Sequence, residues 1–338
     1  MAAKSNKTTT AQKQETNVTT GTSTETKKRR KRFTRDPEGL PKNLTERQIR
    51  TVAAVYEHRT LTSSQIYTLL YAPEQVTAAL TRQPSTVAPN TVCSDHLQRL
   101  YHHGYLERKE QAFTFTSGQR YPPYVLDKKG VQLLAQYYGT SEKAIAWSPK
   151  DNDVSPLFLS HQIADNDIRI AFILAARNLG YTIPTWLTEP TLRKKHMVDT
   201  VTITTEAGTK EKVAIVPDDY FTLDTPTLLL HHFVEIDMGT VTITATDWKR
   251  RDWERKVRGY MAYINSGKYE ARYGTKGLRI LTITTTETRL KNLKEITEKA
   301  GGTARFWFTT FEKALPATII TEPIWEKAGT DGLYTFTR

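Results

Sequence analysis

The chain has 338 residues, 38% of them apolar and 10% aromatic, which is enough material for two cores of ordinary domain size. Its formal net charge is +12, and residues 1–35 hold ten Lys/Arg against only Glu15 and Glu25, so the basic excess is concentrated at one end. The single cysteine, Cys93, excludes an internal disulfide and a cysteine-based zinc site. With no apolar leader and no apolar run of about 18 residues, a secreted or membrane-spanning chain is not expected, and the expected location is cytoplasmic, with no membrane partner.

Residues 1–43 read as a disordered basic tail, low in apolar side chains and rich in Thr, Lys and Gln. Its run from Lys27 through Lys28, Arg29, Arg30 and Lys31 to Arg32 would grip phosphates without sequence preference; a merely solubilising leader is the alternative. Order is expected from Leu44. Leu44, Ile49, Val52, Ala53 and Tyr56 recur at helical spacing behind a Thr45 cap. A second helix follows Thr62, with Ile66, Leu69 and Leu70 inward. The stretch from Pro73 to Pro89 reads as a loop. A third helix then runs from the Asn90 cap to Gly104, with Val92, Cys93, Leu97 and Leu100 facing inward. Next comes a hairpin pattern turning near Ser117-Gly118, and a fourth helix near 127–139.

Three helices followed by a two-stranded wing predict a winged helix-turn-helix over 44–139, whose third helix would enter the major groove of double-stranded DNA. Residues 140–156 read as a linker. The rest, 157–338, opens with a long helix and continues with strands near 183–188, 198–204, 213–216, 220–223 and 229–237. A charged helix near 247–266, a strand at 277–284, a helix at 288–301 and a strand at 304–310 complete it. This order predicts an α+β or α/β arrangement around a central mixed sheet.

On the third helix, Thr91, Ser94, Asp95, Gln98 and Arg99 would face outward. Gln and Arg can contact adenine and guanine edges bidentately, whereas Ser and Thr favour phosphate. Asp95 opposes phosphates unless Arg99, one turn on, pairs with it. The wing offers Arg108, Lys109 and Arg120. A solvated helix face used for protein contact is the alternative.

A second constellation is acidic. Asp218 follows Pro217, and Glu235 and Asp237 lie two apart on one strand, hence on one face of its sheet; Glu189 ends an earlier strand. Clustered carboxylates call for protons or a cation, and Mg²⁺ is the hard ion such a set would take; separate surface carboxylates are the alternative. Among the basic residues of the charged helix, Trp248 and Trp253 interleave, a pattern that suits a nucleic-acid backbone or a buried aromatic face. No phosphate-binding loop and no dinucleotide glycine pattern occurs, so ATPase and oxidoreductase readings have no support.

The stretches HQIADNDIRIAFILAAR, VPDDYFTL, FVEIDMGT, WERKVRGYMAYINSG, LRILTITTTETRLKNL and FWFTTFE, in that order, resemble the replication-relaxation family of plasmids and other mobile elements. The resemblance covers about residues 44–326. It implies DNA binding in plasmid replication or its control, and a second domain similar to the PD-(D/E)xK restriction-endonuclease fold. Pro217-Asp218 and Glu235 match that nuclease pattern, but Asp237 stands where it has lysine, and an aspartate supplies no positive charge. Lys256, with Tyr260 one turn on, would substitute if it points inward; an ordinary surface lysine is the alternative. Three functions follow: a DNA-binding replication protein with a degenerate nuclease domain, a Mg²⁺-dependent nickase using Asp218, Glu235 and Asp237, or a winged-helix repressor. Replication proteins are the expected partners of the first and a second copy of the chain that of the last.

Overall fold

The computed structural model describes residues 33–110, 121–205, 208–239 and 253–337. The first helix, α1 (Glu46–Glu57), starts where Thr45 closes a reciprocal cap with Gln48: the Gln48 amide donates to the Thr45 hydroxyl, and the Thr45 amide donates to the Gln48 side chain at 2.8 Å. The short strand β1 (Thr60–Thr62) leads into α2 (Ser63–Leu70), capped the same way by Thr62 and Gln65. The expected proline-punctuated loop is not structureless. It contains α3 (Glu74–Ala78), whose start Pro73 permits by fixing its own φ, and a 3₁₀ turn at Pro84–Thr86.

Helix α4 (Thr91–His102) is capped by Asn90, whose side chain accepts from the Cys93 amide at 2.9 Å. Cys93, Leu97 and Leu100 are buried as expected, but Val92 is 51% exposed. It occupies the first turn, before the helix meets α2, so the inward stripe begins one residue later. After α4 the chain turns at Gly104, with φ of 83°, into β2 (Leu106–Arg108). β3 (Pro123–Leu126) and α5 (Lys128–Tyr137) follow. The expected turn at Ser117-Gly118 lies outside the described residues. β2 and β3 pair antiparallel, and β1 adds on the other side of β3, giving the order β1-β3-β2. Gly130 lets α5 lie on this sheet: a Cβ there would stand 2.3 Å from the Tyr105 carbonyl oxygen.

Residues 140–156 carry two short 3₁₀ turns. They are fastened to the small sheet by Asn152, which donates to the Leu126 carbonyl at 2.8 Å and to Glu107 at 3.1 Å. The 23-residue helix α6 (Pro156–Asn178) begins at a Ser155 cap. Then come β4 (Thr182–Thr188), α7 (Glu189–Lys194), β5 (Asp199–Thr204), β6 (Lys210–Ile215), β7 (Asp219–Asp224) and β8 (Leu229–Asp237). The chain continues with α8 (Trp253–Asn265), α9 (Lys268–Tyr273), β9 (Arg279–Thr284), α10 (Glu287–Lys299), β10 (Phe306–Thr310) and β11 (Glu326–Lys327). Six strands form one mixed sheet ordered β11-β10-β9-β8-β7-β4, parallel through β8, β9 and β10 and antiparallel elsewhere; β5 and β6 form a separate ladder.

The alternation of side chains assigns the two faces of this sheet. Phe233, Ile280, Phe306 and Phe308 point to the side covered by α8, α10 and the β5–β6 ladder. Val234, Ile236, Leu281 and Trp307 point to the other side, against α6 and the C-terminal segment around Trp325 and Phe336. Helix α6 is apolar on more than one side because it serves two cores. Ile168, Phe172 and Ala175 pack on the large sheet, while Ile170 and Leu174 complete the core of α1, α2, α4 and α5. All these elements belong to one compact unit, Arg35–Arg338. None of the described helices is long and apolar enough to cross a membrane.

Candidate functional site

The carboxylates converge where β7 begins beside the end of β8. Asp219 is registered opposite Val234, which places Asp218 alongside Glu235. The Asp218 amide donates to the Val234 carbonyl at 3.1 Å, and the Asp218 carbonyl accepts from the Glu189 amide at 2.6 Å. The Asp218 side chain accepts from the Ile236 amide at 2.8 Å, and His161 Nε2 stands 3.7 Å from the same oxygen. His161 also donates to the Ile236 carbonyl at 3.1 Å, which fixes its ring against the strand.

Glu235 is buried, and its two oxygens are engaged by the Lys256 ammonium and the Tyr260 hydroxyl, both from α8. Lys256 and Tyr260, four apart, share the helix face turned to the sheet. Burial pushes the Glu235 carboxyl up to about 7, against the pull of Lys256, and the Asp218 charge adds to the rise. Burial works against the Lys256 ammonium, yet Glu235, Asp218 and Glu189 together hold its pKa above the ordinary lysine value. Lys256 therefore stays charged near neutrality while Glu235 titrates.

Asp237 shares the sheet face of Glu235 but is committed elsewhere. It accepts from the Thr284 hydroxyl at 2.6 Å and from Arg289 through both Nε and Nη2, the latter at 2.8 Å. Glu189, the first residue of α7, pairs with Arg193 at 2.8 Å. Among the described residues no group of three or more His, Cys, Asp or Glu side chains is arranged to hold a metal ion. Mg²⁺ commonly takes one or two carboxylates with water and phosphate; Asp218 fits that role, and Glu235 would join it by exchanging Lys256 or Tyr260 from one of its oxygens.

Behind this centre lies a buried polar group that the sequence did not disclose. On the α6 side of β7, Asp219 faces Asp165, and neither Asp219 oxygen nor Asp165 Oδ1 meets a donor. Burial pushes Asp165 up to about 6 and Asp219 well above the carboxylate range, each raised further by a neighbouring carboxylate. A proton held between the two carboxyls satisfies both observations. Arg169 reaches from the same helix to the Glu57 carbonyl at 3.1 Å. Asp167 accepts from the Ser85 amide at 2.7 Å and from Gln65 at 2.9 Å, while His58 and Asn166 bond at 2.8 Å. These contacts tie α6 to α1, α2 and the 3₁₀ turn. The available signal was three charged residues, Asp165, Asp167 and Arg169, directly preceding the apolar AFILAA run.

On α4, Thr91, Ser94 and Asp95 are exposed and Gln98 and Arg99 are partly so. Among the described residues, Arg99 makes no ion pair with Asp95. Arg108 is occupied: it donates to the Tyr124 hydroxyl at 3.2 Å and lies 4.5 Å from the centre of the Tyr101 ring. Lys109 pairs with Glu107 at 2.8 Å. Arg120, Lys28, Arg29, Arg30, Trp248 and the basic residues 249–251 lie outside the described residues. Trp253 is buried and donates to Thr297 at 2.8 Å, so it belongs to the core.

The molecule is thus a mixed α+β protein in which one strand end gathers Asp218, Glu235, Lys256 and Tyr260. The replication-relaxation family model matches residues 52–278, and the chain belongs to that family. No curated protein matches it. Among solved structures it is similar to the restriction endonuclease FokI bound to DNA, at 11% identity over 81% of this chain and 45% of that one, with a TM-score of 0.24. The chain spans less than half of that enzyme's length, and a likeness of this size assigns no fold.

Proposed function

We propose that this protein binds double-stranded DNA in the replication of a plasmid or other mobile element, or in its control. In this reading residues 44–139 act as a winged helix-turn-helix, joined through 140–156 to a restriction-endonuclease-like part at 157–338. The observation that carries the reading is the outer face of α4. Cys93, Leu97 and Leu100 hold the helix to the core, and Thr91, Ser94, Gln98 and Arg99 remain on the accessible side. A helix presenting Gln and Arg can enter a major groove about 12 Å wide and read adenine and guanine edges. Family membership supports replication as the setting.

The test is fluorescence anisotropy with duplexes from the protein's own replicon in EDTA. Binding is expected without metal, and Arg99→Ala and Gln98→Ala are each expected to weaken specific binding by about 1–3 kcal/mol. Unchanged specific binding in both variants rejects the assignment of α4.

One observation favours a second reading, Mg²⁺-dependent nicking: Lys256 supplies the cation that Asp237 does not. Asp218 and Glu235 would hold the ion, which when bound supplies activation of a water. Lys256 would orient and neutralise Glu235, and Asp218 is itself oriented by the Ile236 amide. Nicking of supercoiled plasmid that requires Mg²⁺ and disappears in Glu235→Ala is the outcome this reading demands; closed circles left intact in Mg²⁺ reject it.

A further inference from the structure

A cleft of about 630 Å³ opens between the segment that follows α5 and the start of α7, within the usual range for binding clefts of about 300–1,000 Å³. Arg59, Lys143 and Lys194 stand on its walls, with Trp147 beside them. Lys143 and Lys194 are exposed and make no ion pair among the described residues. Arg59 is held in the left-handed region, with φ of 63°, and its guanidinium lies 3.6 Å from Asp151. A smaller recess shares Arg59, Thr188 and Pro190 with this cleft and continues past Phe158 to Glu189 and Asp218. Phe158 is 41% exposed, an aromatic side chain left in solvent beside the carboxylate centre.

We propose that this cleft is the path of a single DNA strand, which enters over Lys143 and Lys194 and ends beside Asp218. The proposal rests on the DNA-binding reading and extends it to a second site with a different substrate form. Cations along a groove follow a phosphate backbone, and aromatic faces receive unpaired bases whatever their identity. Phe158 supplies such a face in the smaller recess, and Trp147, which also packs on the core of α1, α2, α4 and α5, lines the larger part. In a duplex the bases stack on one another and offer no free face to a side chain, so an unpaired strand is the form these aromatics can take. The carboxylates repel phosphate in the absence of a cation, so the strand would be held chiefly at the basic end. Duplex contacts on α4 and single-strand contacts in the cleft therefore separate by mutation.

The experiment measures, on the full chain, anisotropy of a labelled oligothymidylate of about twelve nucleotides and of a replicon duplex. The variants are Lys143→Glu/Lys194→Glu, Phe158→Ala and Arg99→Ala. The basic tail is present in every variant, so differences among them report the folded part. The lysine reversal is expected to weaken oligothymidylate binding at least tenfold, and Phe158→Ala about fivefold, with duplex affinity held within about twofold. Arg99→Ala should show the opposite pattern. Oligothymidylate binding that survives both the lysine reversal and Phe158→Ala overturns the cleft proposal, as does preferential binding of the oligouridylate of the same length. Loss of oligothymidylate binding in the cleft variants, with duplex binding indifferent to Arg99→Ala, upholds the cleft and removes the α4 reading instead.

Discussion

Replacing Lys256 by methionine removes the ammonium that holds the buried Glu235 carboxylate and keeps most of the side-chain volume. The energetic consequence depends on pH in a way that the geometry sets. Glu235 in the folded protein titrates at about 7, against an ordinary value of 4.5. A raised carboxyl pKa means that the folded state binds the proton more tightly than the unfolded state. Stability from this group is therefore fully present below pH 4.5 and is lost as pH rises through about 7. In the variant, Asp218 still faces Glu235 but the compensating cation is gone, so the folded pKa rises further. At about pH 6 the carboxyl is mostly neutral in both proteins, and the substitution should cost little. At about pH 8 the parent has gained about 1.4 kcal/mol by ionising one pH unit above its pKa, a gain the variant forgoes. Urea unfolding at the two pH values reads this difference directly, with the variant's deficit larger at the higher pH by about 1–1.5 kcal/mol. An equal deficit at both values would refute the claim that Lys256 acts on the ionisation of Glu235, and would make it a packing contact.

Three further outcomes are expected. Asp219→Asn keeps the shape of a group that is already neutral, so it should be well tolerated near neutral pH. Because the folded pKa of Asp219 lies well above its ordinary 3.8, the parent loses stability from this group as pH rises, and the variant should gain on it between mildly acidic and alkaline pH in thermal unfolding; a parallel pair of pH profiles would contradict the shared proton. Removing residues 1–35 should reduce the salt dependence of DNA affinity while leaving site preference intact, and an unchanged slope in anisotropy titrations would show that the tail does not touch DNA. Gly130→Ala should lower the unfolding midpoint, since the added carbon meets the Tyr105 carbonyl oxygen at 2.3 Å, and a midpoint equal to the parent's would show that α5 can lift from the sheet without cost.

Local chemistry explains what the sequence revealed. The caps at Thr45, Thr62 and Asn90 are interactions within three residues, and each helix starts where its cap lies. The two-residue period of FVEID carries Glu235 and Asp237 to one face of β8 because side-chain alternation in a strand is a local property. Helical spacing likewise pairs Lys256 with Tyr260. What neither period contains is the partner across the fold. Asp237 meets Arg289 and Glu235 meets Lys256, contacts that only the β8–β9 register and the seat of α8 decide. Arg108, expected on the wing, lies over the rings of Tyr101 and Tyr124, neighbours on other elements that no local period discloses. Asn166, Asp167 and Arg169 of α6 form a buried polar seam because that helix is covered on two sides.

In the proposed function, α4 reads duplex DNA. Its most direct test is the gel shift of a duplex from the protein's own replicon in EDTA, with an unrelated duplex as competitor, for the parent and for Arg99→Ala. A selective, metal-independent shift is expected in the parent, weakened in Arg99→Ala to the level of the unrelated duplex. A selective shift of equal strength in both proteins, or no selectivity in the parent, would contradict it.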